Sequence, residues 1–294
     1  MKHYFFLLCA WLLLSPASLV ARNKKAVVIL TAGQSNTDGR VPNDELPQEI
    51  RANRYRYCQW SFGSGSVSGN GSFEPFYPRI VSPDNPDRYA YDAIVYYKVE
   101  QRLQRPFYVI KESLGGTAID LRCSSRDSMY WSADSTFLAS TAAADKGGKS
   151  LLKAFTANIG ACIDRQLSHL PQGYDIKVLL WHQGESDRQH AGDYYANLRA
   201  VIAYVRQYLV KKTGKKRYAR LPVILGGISH KSKQYHPEVE AAKHRLAQGD
   251  ANIYVVDVPD ASLRSDQLHF DAAGASELGT KIYDTLMQQH ILTK

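Results

Sequence analysis

Five short apolar runs, rich in β-branched residues, constrain the fold of this 294-residue chain more than any other feature. Each has the length and composition of a strand that is buried on both faces, as strands are in a parallel sheet. The runs are Ala26–Ala32, Phe107–Glu112, Ile176–His182, Pro222–Ile228 and Ile253–Val258. Segments with helical periodicity alternate with them, at Arg88–Leu103, Ser150–Leu167, Asp193–Leu209, Pro237–Gln248 and Asp271–Gln289. This alternation predicts an α/β fold, a three-layer α/β/α sandwich with a five-stranded parallel sheet.

The order of residue types at the start of the chain predicts a signal peptide over residues 1–21. Lys2 precedes an apolar run, and small residues follow before the polar Arg22. The run is shorter than the roughly 20 residues that a membrane-spanning helix needs. We therefore expect a secreted or periplasmic protein without a membrane anchor once the signal is removed. No repeat or linker divides residues 22–294, which predicts a single domain.

Charge and cysteine content narrow the possible partners. The formal net charge is +9, or +8 without Lys2, and the charges are scattered apart from one basic cluster at Lys211–Arg217 that is typical of a solvated helix end. The chain has no zinc-finger or ribonucleoprotein motif, which disfavours nucleic-acid binding. Cys58, Cys123 and Cys162 allow one disulfide at most, and no Cys/His spacing indicates zinc. No cofactor or metal is predicted.

Two stretches fit poorly with a minimal α/β sandwich. Ser61–Ser72 is rich in Gly and Ser and is predicted to be a mobile loop. Asp120–Lys149 has no clear period, although it contains Arg126, Tyr130 and Trp131. Insertions at the carboxyl edge of a sheet can shape a substrate cleft, and they can equally be decoration without function. Both interpretations stay open for these two stretches.

A serine follows the first predicted strand, in the tetrapeptide Gly33-Gln34-Ser35-Asn36. A serine at a strand-to-helix turn is held at the carboxyl edge of the sheet, and the preceding glycine permits a tight turn. The same residues are also common in ordinary helix caps. The motif differs from the nucleophile elbow of α/β-hydrolases, because Thr37 stands where GxSxG requires glycine.

The tetrapeptide Asp266-Gln267-Leu268-His269 directly precedes the last predicted helix. A serine hydroxyl becomes a nucleophile when an imidazole takes its proton, and a carboxylate then fixes the tautomer of that imidazole. A carboxylate three residues before a histidine can do this within one short turn. In the alternative interpretation, Asp266 caps a turn and His269 is a surface residue.

Two further polar blocks follow the second and third predicted strands. Gly115-Gly116-Thr117 can bring a backbone N–H close to a developing oxyanion, and Gln183 in Trp181–Asp187 can offer a side-chain N–H. Each block is also compatible with ordinary turn chemistry. Because the carboxyl ends of parallel strands meet at one edge, the four blocks are expected to converge there.

These ordered blocks resemble the SGNH hydrolase superfamily, and most closely its sialate O-acetylesterase and carbohydrate esterase family-six group. The resemblance extends from Val27 to Gly279 and implies an SGNH/flavodoxin-like fold. It implies Ser35 as nucleophile, His269 as general base and Asp266 as its orienting partner. The implied oxyanion donors are the Ser35 N–H, the N–H of Gly115 or Gly116, and the Gln183 side chain.

Glu185 has two possible roles in such a site. It is either a second carboxylate partner for His269 or a structural acceptor that holds the loop, and we favour the structural role. A glycosidase would use Glu185 and Asp187 as an acid/base pair, but two residues on one loop are poorly placed to flank a glycosidic bond. Thr37 departs from the residue common in relatives, and the segments Val41–Asp87 and Asp120–Lys149 match no family block.

The expected function is that of a secreted carbohydrate O-acetylesterase, acting on acetylated sialic acid or on acetylated plant polysaccharide such as xylan or pectin. The basic balance weakly favours an acidic sugar, whose carboxylate Arg122 or Arg126 would pair with. The alternative is a catalytically silent carbohydrate-binding protein of the same fold. An intact set of Ser35, His269 and Asp266 argues against that alternative.

Overall fold

The computed structural model describes residues 24–53, 55–80 and 86–292, so the predicted signal peptide lies outside the described part. Its strands are β1 (Ala26–Gly33), β2 (Val41–Pro42), β3 (Cys58–Gly63), β4 (Glu74–Pro75), β5 (Arg88–Tyr89), β6 (Phe107–Ser113), β7 (Tyr174–His182), β8 (Val223–Gly226) and β9 (Ile253–Val256). Its helices are α1 (Ser35–Asp38), α2 (Gln48–Asn53), α3 (Tyr91–Leu103), α4 (Ser135–Ser140), α5 (Leu151–Arg165), α6 (Tyr194–Thr213), α7 (Pro237–Gly249) and α8 (Ala272–Gln288). Short 3₁₀ turns connect several of these elements.

The central sheet has seven strands in the order β4-β3-β6-β1-β7-β8-β9. All neighbours pair in parallel except β3 and β4, which are antiparallel. The five predicted strands are confirmed as β1, β6, β7, β8 and β9, with small differences at their ends. The prediction of only five strands is wrong, because β3 and β4 extend the sheet beyond β6. Separately, β2 and β5 form a two-stranded antiparallel ribbon.

Helices cover both faces of the sheet, which confirms the predicted three-layer sandwich. The side chains of β1 alternate between two buried clusters, as a strand buried on both faces requires. Val28 and Leu30 pack with α5, α6 and α7, while Val27 and Ile29 pack with α3 and α8. Helices α3 and α8 touch closely at Gly279, where an added Cβ would lie 2.4 Å from the carbonyl oxygen of Tyr91.

The segment Ser61–Ser72 is ordered by specific contacts, which corrects the prediction of a mobile loop. Its first residues belong to β3, which pairs with β6 along its whole length. The Ser61 hydroxyl and the Gly71 N–H both donate to the side-chain oxygen of Asn158 on α5, each at 3.0 Å. The glycines permit this close approach, since a Cβ on Gly69 would meet the Asn158 side chain at 2.3 Å. Its Gly and Ser content therefore reflects tight packing on α5.

The second stretch, Asp120–Lys149, contributes to the core as well as to the surface. Trp131 is fully buried, packs edge-on against Trp181 at 5.2 Å between ring centroids, and donates to the Thr117 hydroxyl. The cysteines outside the predicted signal peptide are all buried free thiols: Cys58, Cys123 and Cys162. Within the described residues, none of the helices combines the length and apolarity needed to span a bilayer.

Candidate active site

The candidate site lies at the carboxyl end of β1, where the strand order of the sheet reverses. β1 is flanked by β6 on one side and β7 on the other, and Gly33 at its end pairs with Ser113 and His182. Ligands of open α/β sheets bind at such a point, beyond the carboxyl ends of the strands. The loops that leave β1, β6 and β7 carry three of the four polar blocks identified in the sequence.

The turn that carries Ser35 is attached to the loop after β7. Gly33 is required there, because a Cβ would lie 2.1 Å from the carbonyl oxygen of His182. The Gln34 side-chain oxygen accepts hydrogen bonds from the N–H groups of Gly184 and Ser186, at 3.4 and 3.3 Å. Ser35 begins the short helix α1 and is 7% exposed. The turn is therefore fixed, and its serine is largely buried with a small exposed surface.

Asn36 connects this turn to the segment before α8. Its side-chain oxygen accepts a hydrogen bond from the Phe270 N–H at 3.1 Å, and its amide nitrogen donates to Glu185 at 3.0 Å. The residue after Ser35 thus contacts the residue after His269, although they are 234 positions apart. The fourth polar block, at the other end of the described chain, is brought to the same edge of the sheet.

His269 and Asp266 form a hydrogen-bonded pair within one tight turn. The His269 Nδ1 atom lies 2.7 Å from the Asp266 carboxylate, which also accepts from the backbone N–H groups of Leu268 and His269. Partial burial raises the pKa of Asp266, but these hydrogen bonds outweigh it and lower that pKa to about 2. An ionised Asp266 holds a proton on Nδ1, and this leaves Nε2 as the basic atom of His269.

Of the two candidate glycines, Gly115 lies against Ser35. A Cβ added to Gly115 would lie 3.1 Å from the Ser35 Cβ and 2.1 Å from Nη2 of Arg40. A Cβ on Gly116 would meet only Arg126, at 3.7 Å, and the Gly116 carbonyl accepts from the Arg126 N–H. The positions of the two glycines therefore favour Gly115 as the neighbour of an oxyanion formed at Ser35.

Gln183 does not present a free donor in this structure, contrary to its expected role in the oxyanion hole. Its side-chain nitrogen donates to the Thr117 carbonyl at 3.2 Å and, at short range, to Asp187. Its side-chain oxygen accepts from the Tyr194 hydroxyl at 3.0 Å. An amide nitrogen has two N–H groups, and both are used here by a side chain with no exposed surface. Gln183 holds the loop together instead of facing a ligand.

Glu185 occupies a buried polar cluster behind the serine turn. It is 1% exposed, bonds Asn36, and lies 3.3 Å from the His182 imidazole. Burial raises the pKa of Glu185, but His182 and the Lys243 ammonium outweigh it and lower that pKa to about 2. Its side chain accepts a hydrogen bond from Asn36 on the serine turn, which is a contact that a structural acceptor would make.

Asp187 is also buried and bonded to protein groups. Its carboxylate accepts hydrogen bonds from the N–H groups of Ile119 and Asp120 as well as from Gln183. Burial outweighs these contacts and raises its pKa to about 6. Glu185 and Asp187 are both buried and bonded to protein groups. Neither carboxyl group is therefore accessible to a glycosidic oxygen that it could protonate. The glycosidase interpretation is therefore disfavoured by burial as well as by spacing.

The two arginines expected to meet a substrate carboxylate differ in availability. Arg122 donates to Asp120 at 2.6 Å and to Asp193 at 2.5 Å, so two carboxylates already bind its guanidinium. Arg126 follows the glycine loop and is half exposed, and its ion pair among the described residues is a long contact of 3.6 Å to Asp127. Arg126 is therefore the better placed of the two to meet an anionic sugar.

One cluster among the described residues has donor types that suit a metal. Donor atoms of Glu240, His244 and Asp257 all lie within 4.8 Å of one another. His244 already bonds Asp257 at 3.0 Å, and the Lys243 ammonium lies 3.8 Å from Glu240. Protein groups therefore already contact these side chains, and the cluster contains none of the four sequence blocks.

A family model described as "Carbohydrate esterase, sialic acid-specific acetylesterase" matches residues 139–288. The matched region includes Gln183, Asp266 and His269, and it begins after Ser35 and Gly115. It covers half of the chain. A search of curated proteins gives no match to this sequence.

Solved structures share the fold at low sequence identity. A protein from Arabidopsis thaliana is similar over 90% of this chain and 99% of its own, with 19% identity and a TM-score of 0.63. NanS is similar over 91% and 98%, with 14% identity and a TM-score of 0.60. A carbohydrate acetylesterase from Xanthomonas citri is similar over 90% of this chain but only 56% of its own, with 16% identity and a TM-score of 0.55. Given the family match and the convergence of its polar blocks, the chain belongs to the carbohydrate esterase family of sialic acid-specific acetylesterases.

Proposed function

We propose that the protein is a secreted serine esterase that removes acetyl groups from carbohydrate, with Ser35, His269 and Asp266 as its catalytic residues. The observation that carries the proposal is the hydrogen bond between Asn36 and the Phe270 N–H, 3.1 Å long. This contact joins the neighbour of the serine to the neighbour of the histidine. It therefore supports the meeting of nucleophile and base at one edge of the sheet.

The reaction proceeds as a two-step acyl transfer. The Ser35 hydroxyl attacks the acetyl carbonyl carbon while Nε2 of His269 takes the hydroxyl proton. The C–O bond to the sugar breaks, and the imidazolium returns the proton to the departing sugar oxygen. Water then attacks the acetyl-enzyme with His269 again as base, the acyl bond to the Ser35 oxygen breaks, and the imidazolium returns the proton to that oxygen as acetate leaves. Asp266 keeps its negative charge throughout and stabilises the imidazolium.

Negative charge develops on the carbonyl oxygen in both steps. The Ser35 N–H lies in the first turn of α1, where N–H groups have no partner within the helix, and Gly115 lies beside it. We assign the oxyanion to these two N–H groups. Preorganised donors of this kind are each worth on the order of 10²–10³ in turnover.

The substrate class follows from the family and from the charge around the site. Arg126 offers a half-exposed guanidinium beside the glycine loop, which suits the carboxylate of an acetylated acidic sugar. We therefore place acetylated sialic acid ahead of neutral acetylated plant polysaccharide. Acetate release from acetylated mucin, compared with acetylated xylan at equal ester concentration, tests this order.

The decisive test of the mechanism is Ser35→Ala. We expect the variant to lose hydrolysis of p-nitrophenyl acetate and of acetylated glycans while it keeps the thermal stability of the wild type, because the substitution leaves the backbone hydrogen bonds of the turn in place. A fluorophosphonate probe should label the wild type at Ser35 and should not label the variant. Full hydrolysis by Ser35→Ala would refute the serine mechanism. Retained glycan binding with no acetate release by the wild type would indicate a silent binding protein.

A further inference from the structure

Arg40 is held in a fixed position just after the serine turn. Its Nη1 atom donates to the Asp38 carboxylate at 2.8 Å and to the Gly39 carbonyl at 2.5 Å. Asp38 is itself buried, and the Ser113 hydroxyl lies 3.4 Å from its other carboxylate oxygen. The buried carboxylate of Asp38, at the end of α1 and next to Ser113 of β6, thus fixes the direction of the guanidinium.

The other end of the guanidinium lies against Gly115, which is next to the reactive serine. Nη2 occupies the space that a side chain on Gly115 would fill, 2.1 Å from the Cβ position. The Ser35 Cβ lies 3.1 Å from that same position, so Nη2 and the Ser35 Cβ are within about 5 Å of each other. Among the described residues, the guanidinium donates to two acceptors, and both of these hydrogen bonds come from Nη1. Nη2 is thus left facing the side of Ser35 on which Gly115 lies.

The oxyanion hole expected from the sequence lacks its side-chain donor. Both N–H groups of Gln183 are bound by Thr117 and Asp187, which leaves the two backbone N–H groups of Ser35 and Gly115. We propose that Arg40 is a further catalytic residue, whose Nη2 donates to the oxyanion of the tetrahedral intermediate. This inference rests on the proposed esterase mechanism and assigns the third donor within it.

A guanidinium suits this position for two physical reasons. It carries a delocalised positive charge, and its planar shape keeps Nη2 directed while Nη1 is held by Asp38. Its positive charge interacts more strongly with the full negative charge of the intermediate than with the neutral ester. Such an interaction lowers the barrier without tightening substrate binding.

The proposal predicts a specific kinetic pattern for Arg40→Met. We expect kcat to fall by about 10²–10³ with little change in KM. The factor should be the same for p-nitrophenyl acetate, neutral acetylated sugars and acidic ones, because every substrate forms the same oxyanion. Arg206→Met is the matched control, since Arg206 is also ion-paired to a carboxylate, Asp250, but lies at the opposite edge of the sheet. It should keep wild-type kinetics.

Two further measurements separate a direct role from a structural one. Millimolar guanidinium should restore part of the kcat of Arg40→Ala, and it should not restore Ser35→Ala. Gly115→Ala keeps Arg40 and Asp38 but puts a methyl group where Nη2 lies, so the guanidinium has to move away from that position. Its kcat should fall as well, and adding Arg40→Met to it should cost much less than Arg40→Met costs alone.

Several results would overturn the assignment. One is an unchanged kcat in a folded Arg40→Met. Another is a raised KM for acidic sugars with an unchanged kcat, which would mean that Arg40 binds the substrate carboxylate. A third is a loss that guanidinium cannot restore in a protein with lowered thermal stability, which would mean a structural role. Persistent hydrolysis by Ser35→Ala would instead refute the serine mechanism itself.

Discussion

The Asn36 amide nitrogen donates to Glu185 at 3.0 Å, and both side chains are almost completely buried. Because the Asn36 oxygen simultaneously accepts from Phe270, one amide group joins the serine turn, the loop after β7 and the turn that carries His269. The relative positions of nucleophile and base depend on this amide. It also gives a way to test the proposed site without removing a catalytic group.

Asn36→Ala should lower kcat much more than it raises KM. The substitution leaves the Phe270 N–H and a Glu185 oxygen without their partner, which we expect to cost about 1–3 kcal/mol of unfolding free energy. Urea unfolding and p-nitrophenyl acetate kinetics measure the two effects. Asn252→Ala is the control, because Asn252 also bonds a carboxylate, Asp250, at the far edge of the sheet. Equal kinetic effects in both variants would contradict the proposed role of Asn36.

Glu185→Gln should flatten the acid side of the stability profile. The folded-state pKa of Glu185 is about 2 against an ordinary value of 4.5, so the folded protein favours the carboxylate form. Its contribution to stability is therefore fully present above pH 4.5 and is lost as pH falls from there toward 2. Gln keeps an oxygen that can accept from Asn36 but carries no charge. Urea unfolding between pH 7 and pH 3 measures the difference.

The control for that experiment is Glu49→Gln, which neutralises an exposed carboxylate on α2. Its stability profile should follow that of the wild type. If Glu185→Gln instead loses stability as steeply as the wild type below pH 4.5, the charge of Glu185 contributes nothing specific to the fold.

Gln183→Ala should destabilise the protein. The Gln183 side chain is fully buried and bonds Thr117, Asp187 and Tyr194, and its removal leaves all three without that partner. We expect a loss of several kcal/mol in unfolding free energy, at the upper end for single substitutions. Chemical denaturation monitored by tryptophan fluorescence measures it. A variant with wild-type stability and a reduced kcat would instead indicate that Gln183 donates to the oxyanion.

Arg126→Met should reduce the preference for acidic sugars. The half-exposed guanidinium can pair with a sugar carboxylate, and a solvated pair of this kind is worth up to about 1 kcal/mol, or roughly fivefold in KM. Hydrolysis of neutral acetylated sugars should not change. Arg122→Met is the matched control, because Asp120 and Asp193 already bind that guanidinium. If Arg122→Met instead loses the preference for acidic sugars, Arg122 and not Arg126 pairs with the sugar carboxylate.

The five apolar strands and the helices between them were predictable, because burial on both faces leaves an uninterrupted apolar run. Strand β3 was not, since Cys58–Gly63 mixes polar and apolar residues and is recognisable as a strand only through its pairing with β6. The Gly and Ser residues that follow looked like a mobile loop because their partner, Asn158, lies on a helix almost a hundred positions later.

In the site, the order of the blocks along parallel strands was enough to bring their loops to one edge. The direction of each side chain was not predictable in the same way. Whether Gln183 faces a ligand or the core depends on Tyr194 and Asp187, and nothing in the local motif specifies those contacts. Arg40 was overlooked for a related reason, because its position beside Gly115 follows from Asp38 and the end of β6. The signal peptide and secretion stay predictions.

The close contact of Gly279 with the backbone of α3 has a consequence for how the enzyme would fail on heating. Helix α8 directly follows the turn that bears His269, so a small separation of α8 from α3 would draw the base away from its nucleophile. Hydrolysis would then cease while the parallel sheet is still intact. On heating, a loss of hydrolysis that precedes the loss of circular dichroism would therefore indicate that α8 has shifted on α3.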